Sequence, residues 1–221
     1  MLIPQLILLA FAACVTVIGV SVKDNMLSLK ILSIQAFTLI AVNLAYYAQR
    51  IIEASYTPSS EDIASIILEI LVTVIIVPLI IRVVKNSLVR ERIGFNTPPL
   101  IEFKRNLPIL AAFNIGYLIF AIYLAYYNII PSVLQLLPLT LLVFLNSVVG
   151  MIVNKDSVKI IIALNMAFNA FTPLLSNLPL TYVILELTSL ILVNIIAVFI
   201  IVQMIEKYKT INVSEWSVNY D

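Results

Sequence analysis

Among its 221 residues the chain has no histidine, one cysteine and only four glycines. Lacking histidine, it can form no histidine-ligated haem, no histidine metal site and no imidazole proton shuttle. A single thiol, Cys14, closes no intrachain disulfide and frames no iron–sulfur or zinc centre. Cys14 sits in an apolar run and reads as a small buried hydrophobe. Four glycines leave little material for phosphate-cradling loops or extended GxxxG packing, and no GxGxxG, GxxxxGK[ST] or GxSxG pattern occurs. No catalytic residue, no metal site and no cofactor is therefore expected within the chain.

Charge is scarce as well. Only 11% of residues are charged against 62% hydrophobic, where soluble domains carry about a quarter charged. Mean hydropathy is +1.10. A soluble core could not hide so much apolar surface, so the expected solvent is a lipid bilayer. The net charge of +1 points to no electrostatic partner, and no nucleic acid is expected.

A bilayer core needs about 20 apolar residues per helical span. Seven stretches meet that length: 2–22, 27–49, 62–84, 107–128, 132–153, 157–177 and 180–205. The expected fold is all-α, a polytopic membrane bundle of about seven transmembrane helices. The first stretch lacks a basic start and a clean small-residue cleavage site, so it reads as a retained helix. With seven spans, twelve basic residues fall on one face: Lys23, Lys30, Arg82, Lys85, Arg90, Arg92, Lys104, Arg105, Lys155, Lys159, Lys207 and Lys209. The opposite face receives Arg50 alone. Basic residues collect on the cytoplasmic side, so the N-terminus is expected outside and the C-terminus in the cytoplasm of a cell (plasma) membrane.

Residues 17–37, VIGVSVKDNMLSLKILSIQAF, align with 148–168, VVGMIVNKDSVKIIIALNMAF. Gly19 pairs with Gly150, Val22 with Val153, Ile31 with Ile162, Ala36 with Ala167 and Phe37 with Phe168. Later in each unit comes a matching tetrapeptide, Ile66-Ile67-Leu68-Glu69 and Val183-Ile184-Leu185-Glu186. The expected organisation is a first three-helix unit (1–85), a cytoplasmic loop (86–106), a linker transmembrane helix (107–128), a second three-helix unit (132–205) and a cytoplasmic tail (206–221).

Glu69 and Glu186 would lie roughly 10 Å inside their spans at about 1.5 Å per residue. Ionised side chains at that depth are costly, and those that occur tend to face protein and to be functional. Two acids at matching repeat positions favour proton handling over simple packing. The candidate path adds Gln35, Asn43, Thr73, Asn165, Asn169, Thr188, Ser189 and Asn194, with Asn114, Gln135 and Asn146 as further polar groups in spans. Each could equally be interhelical glue. Pro78, Pro138 and Pro173 fall within the expected spans, where each would free a backbone carbonyl.

A three-helix unit with a carboxylate in its third helix resembles the K subunit of respiratory complex I and the C subunit of multisubunit cation/proton antiporters. Ser33-Ile34-Gln35 followed by Ala41-Val42-Asn43-Leu44 is similar to that family's second helix. At full length the chain resembles the hydrogenase-4 component E family, with Ile76-Val77-Pro78-Leu79-Ile80 and Thr210-Ile211-Asn212-Val213 matching its pattern. The resemblance implies a small non-catalytic subunit in the membrane arm of a nickel–iron hydrogenase or complex I-like oxidoreductase, beside antiporter-like and other membrane-arm subunits, helping to form a proton (or Na⁺) path. The K-like family's second-helix glutamate is replaced here by Gln35 in the first unit and Met166 in the second, neither of which ionises. The family's third-helix carboxylate aligns nearer Val74, and component E's acid nearer Ser189. The competing expectations are a purely structural scaffold subunit and a free-standing small ion transporter.

Overall fold

A computed structural model describes residues 3–22, 24–54, 56–90, 101–126, 136–175, 178–213 and 216. Lys23, Arg92 and Gln135 lie outside the described residues, as do residues 91–100 of the expected cytoplasmic loop. The described residues are helical almost throughout. The helices are α1 (Ile3–Ser21), α2 (Asn25–Ala54), α3 (Ser60–Glu69), a π-helical segment (Ile70–Ile76), α4 (Val77–Arg90), α5 (Ile101–Tyr126), α6 (Leu137–Val153), α7 (Ser157–Asn169), α8 (Thr172–Leu175) and α9 (Leu180–Tyr208).

Five stretches are long and apolar enough to cross a membrane: Ile3–Ser21, Asn25–Ile52, Ser60–Leu88, Ser157–Leu174 and Leu180–Tyr208. Two further apolar helices are shorter, Ala111–Leu124 and Leu137–Val153. At about 1.5 Å per residue, the 17 residues of α6 rise roughly 26 Å. Large apolar side chains cover much of the outer surface, Ile3, Ile52, Ile152, Leu185 and Phe199 among them, and Cys14, expected to be buried, is exposed as well. Such a surface is compatible with a membrane protein.

Polar chemistry sets the helix starts. Asp24 Oδ1 accepts the Met26 amide at 2.7 Å, closing the turn into α2. Ser59 and Asp62 form a reciprocal capping box at α3, in which each side chain satisfies the other's backbone amide. Asp156 caps α7 by accepting from the Val158 and Lys159 amides. Pro138, expected inside a span, instead occupies the first turn of α6. Its missing N–H costs nothing there, because a first-turn amide has no intrahelical partner.

Two expected spans are irregular. The third is continuous but widens into π-helix after Glu69, with the Val77 amide reaching back to the Val72 carbonyl. Pro78 follows directly; its ring would crowd the Val74 carbonyl in a regular α-helix, and a wider turn relieves that clash. The sixth is broken: α7 ends at Asn169, the chain turns at Ala170 and Phe171, and α8 begins at Thr172, just before Pro173. The helical stretches also run past their expected ends. α4 reaches Arg90 because Val77, Ile81, Val84 and Leu88 keep one buried stripe going.

α1 packs on α2 and α6, α2 on α7, and α4 on α9. Two apolar clusters result, one centred on Leu32, Ile81, Val84 and Met166, the other on Leu9, Leu39, Leu139 and Leu142. Glycine permits the closest approach. A Cβ on Gly150 would lie 2.5 Å from Val20 Cγ1, and one on Gly19 would lie 2.5 Å from Met166 Cε.

Three chain reversals meet at one end. Asn25 Nδ2 donates to Asp156 Oδ2 at 2.8 Å, and Asn154 Nδ2 donates to the Val20 carbonyl at 3.4 Å. After α9 the chain turns through Lys209 in the left-handed region (φ 58°). It then pairs Asn212 with Asp156, the Ser157 amide bonding the Ile211 carbonyl and the Val213 amide the Lys155 carbonyl. Trp216 Nε1 closes the tail on the Thr210 carbonyl.

Candidate functional site: a carboxylate inside the bundle

Glu69 ends the regular part of α3 on the stripe Asp62, Ser65, Glu69, Thr73, whose spacing of three and four residues holds one helix face. That face turns inward, leaving Glu69 1% exposed. Asn43 Nδ2 donates to Glu69 Oε2 at 3.0 Å, and Ser65 Oγ donates to Oε1 at 3.4 Å. Asn43 Nδ2 also donates to the Thr172 carbonyl, at 3.1 Å. That second bond fixes the amide's orientation, because a carbonyl only accepts. Asn43 therefore ties the carboxylate of α3 to the first residue of the short helix α8.

Glu186 lies on α9, which packs against α3. Its neighbours Val183, Leu187, Leu190 and Asn194 form the buried stripe of the helix, whereas Ile184 and Leu185 face outward. Glu186 sits between the two faces, half-buried, and its Oε2 is shielded with no hydrogen-bond partner among the described residues. It is near enough to Glu69 for the two carboxylates to act on each other electrostatically. Among the described residues no basic side chain acts on either acid.

The remaining polar residues divide into separate groups. Gln35 Nε2 donates to Thr16 Oγ1 at 2.7 Å and to the Met166 carbonyl at 3.3 Å. Asn165 and Asn194 donate to each other's side-chain oxygens, both at 2.7 Å, and to the Ile161 and Leu190 carbonyls of their own helices. Asn146 donates to Asn114 at 2.6 Å. Asn169 is buried at the end of α7. Thr73 Oγ1 bonds the Glu69 carbonyl at 2.6 Å, so its hydroxyl serves the backbone next to the π segment. Thr188 and Ser189 stand on the exposed face of α9, Ser189 bonding the Leu185 carbonyl; they do not join Glu69. Ser65 and the Thr172 carbonyl were not among the sequence candidates. Ser65 precedes Glu69 by one helical turn, a spacing that could have flagged it; the carbonyl carries no sequence signal.

A buried carboxylate held by hydrogen-bond donors, with no counter-cation, is suited to exchanging a proton. Among the described residues no group of three or more Cys, Asp or Glu side chains is placed to hold a metal ion. No family model, curated protein or solved structure matches the chain.

Proposed function

We propose that this chain is a non-catalytic membrane-arm subunit of a membrane-bound hydrogenase or complex I-like oxidoreductase, and that it helps to form a proton (or Na⁺) path. The observation that carries the reading is Glu69: an enclosed acid, with no cationic partner among the described residues, joined through Asn43 to the first residue of the short helix α8. α8 follows the interruption after α7, and transport proteins place ion sites beside interrupted helices.

The finer architecture belongs to the same proposal: seven spans in a cell membrane, N-terminus outside, C-terminus in the cytoplasm, and two three-helix units joined by α5. The meeting of the α1–α2 reversal, the α6–α7 reversal and the end of α9 supports it. An even number of crossings must separate Val22 from Asn154, and α2, the α3–α4 helix, α5 and α6 supply four. The repeat is supported by two contacts at its own offset. Asn25 bonds Asp156 and Gln35 bonds Met166, each pair 131 residues apart, the offset that aligns Gly19 with Gly150. Residues related by a two-fold axis touch their own equivalents only near that axis.

Glu69→Gln keeps the shape and the Asn43 and Ser65 neighbours but cannot ionise. The proposal expects a parent complex that assembles and loses coupled ion movement. Gentle purification should bring the chain out with antiporter-like and metal-bearing subunits; isolation of the chain alone, active in ion transport, would contradict the proposal.

A further inference from the structure

At the end of the bundle opposite the basic reversals lies a cavity of about 530 Å³. The end of α2 supplies Tyr46, Tyr47 and Arg50, the start of α3 supplies Asp62 and Ser65, and Leu178–Leu180 closes it before α9. Its rim is held by hydrogen bonds. Asp62 accepts from the Tyr47 and Tyr56 hydroxyls and from the Ser59 amide and hydroxyl. The bond to Asp62 pushes the Tyr56 phenol above its ordinary pKa, so it stays a donor at neutral pH. Arg50 lies over the Tyr46 and Tyr56 rings, its guanidinium carbon 5.6 and 4.0 Å from their centroids.

The floor of this cavity is Ser65, only 6% exposed, whose hydroxyl donates to Glu69. One side chain thus separates a polar cavity with room for several waters from the enclosed acid. The Asp62 carboxylate, committed to four donors, braces the wall. Asn43 Nδ2 and Ser65 Oγ each donate to one Glu69 oxygen, and each carboxylate oxygen keeps a further lone pair for an arriving proton. Arg50, Glu61 and Asp62 all line the cavity, so charges of both signs stand around it.

We propose that this cavity is a water-filled vestibule that brings protons to Glu69, with Ser65 as the last group before the acid. The inference rests on the proposed function of Glu69 and names the side from which the proton arrives.

The test uses the full chain in native membrane vesicles, with Cys14→Ser as background and single cysteines at Tyr46, Ser65 or Thr73. The probe is a membrane-impermeant cationic thiosulfonate added from the vestibule side. Tyr46→Cys and Ser65→Cys should react, and Thr73→Cys, one turn beyond Glu69, should not. An unreactive Ser65→Cys, or a reactive Thr73→Cys, overturns the proposal. Ser65→Ala should slow proton uptake, and wild-type uptake in Ser65→Ala overturns its place as the last group before the acid. Labelling at Ser65 with proton uptake unchanged in Glu69→Gln would sink the proposed function while leaving the water access standing, so the two claims fail separately.

Discussion

Asn43 and Glu69 meet inside the bundle in a 3.0 Å hydrogen bond, and the same amide nitrogen holds the Thr172 carbonyl at the start of α8, just past the break after α7. One side chain thereby joins three elements. Replacing it with the near-isosteric Leu removes both bonds and leaves a buried carbonyl and a buried acid short of a donor. Each such group costs about 1–3 kcal/mol. Asn43→Leu should therefore unfold at a clearly lower temperature in detergent than wild type. Asn43→Gln should fall between the two, and thermal unfolding of the three proteins checks the order.

The reciprocal pair Asn165–Asn194 behaves differently, because each amide answers the other. Pairs of this kind within membranes contribute about 0.6 kcal/mol on average and up to roughly 1.7. Either single change to Leu leaves one buried amide facing an apolar group. The double change to Leu should be less destabilising than the sum of the singles, which a double-mutant cycle of unfolding free energies would measure.

Gly150→Ala should be the more damaging of the two glycine changes. Its Cβ meets both Cγ1 and Cβ of Val20, at 2.5 and 2.8 Å, and a β-branched side chain has little room to turn away. The Gly19 Cβ would meet the terminal methyl of Met166 at 2.5 Å, on a side chain able to bend aside, and Ile31 Cγ2 at 2.9 Å, a single methyl of a β-branched side chain against two atoms of Val20 at Gly150. Overpacking of this kind costs about 1–3 kcal/mol. Comparing the yield of monodisperse protein and the unfolding temperature of the two variants tests the difference.

Lys209 carries a left-handed backbone at the end of α9. A side chain with a Cβ costs roughly 1–2 kcal/mol in that region, and glycine relieves it. Lys209→Gly should raise the unfolding temperature modestly, provided the Ser157–Ile211 and Val213–Lys155 backbone bonds persist. A lower temperature would show that the lysine side chain contributes more than its backbone costs.

Much of the fold was legible because hydropathy reports the solvent of a helix directly. The runs beginning near Ile3, Asn25, Ser60, Ser157 and Leu180 follow from length and composition. The inward position of Glu69 was legible for the same reason, since an acid amid Ile67, Leu68, Ile70 and Leu71 must find protein. Facing was less legible. Thr188 and Ser189 adjoin Glu186 in sequence, but each step along a helix turns about 100°, which carries both to the exposed face. The π segment and the break before Thr172 arise from Pro78 and Pro173 acting in packed surroundings. A proline signals such a disturbance without saying whether the helix widens, as at Ile70–Ile76, or stops, as at Asn169. Ser59-x-x-Asp62 is a capping box written in the sequence, yet the cavity beside it depends on α2 and α9 converging there. No local pattern records that convergence.

Proton uptake by native membrane vesicles carrying Glu69→Gln, measured at matched levels of assembled protein and against wild type, tests the central claim most directly. If Glu69 exchanges protons along an ion path, uptake falls sharply while the amount of assembled complex stays the same. Wild-type uptake in the Glu69→Gln vesicles would contradict the account and leave Glu69 as a packing residue.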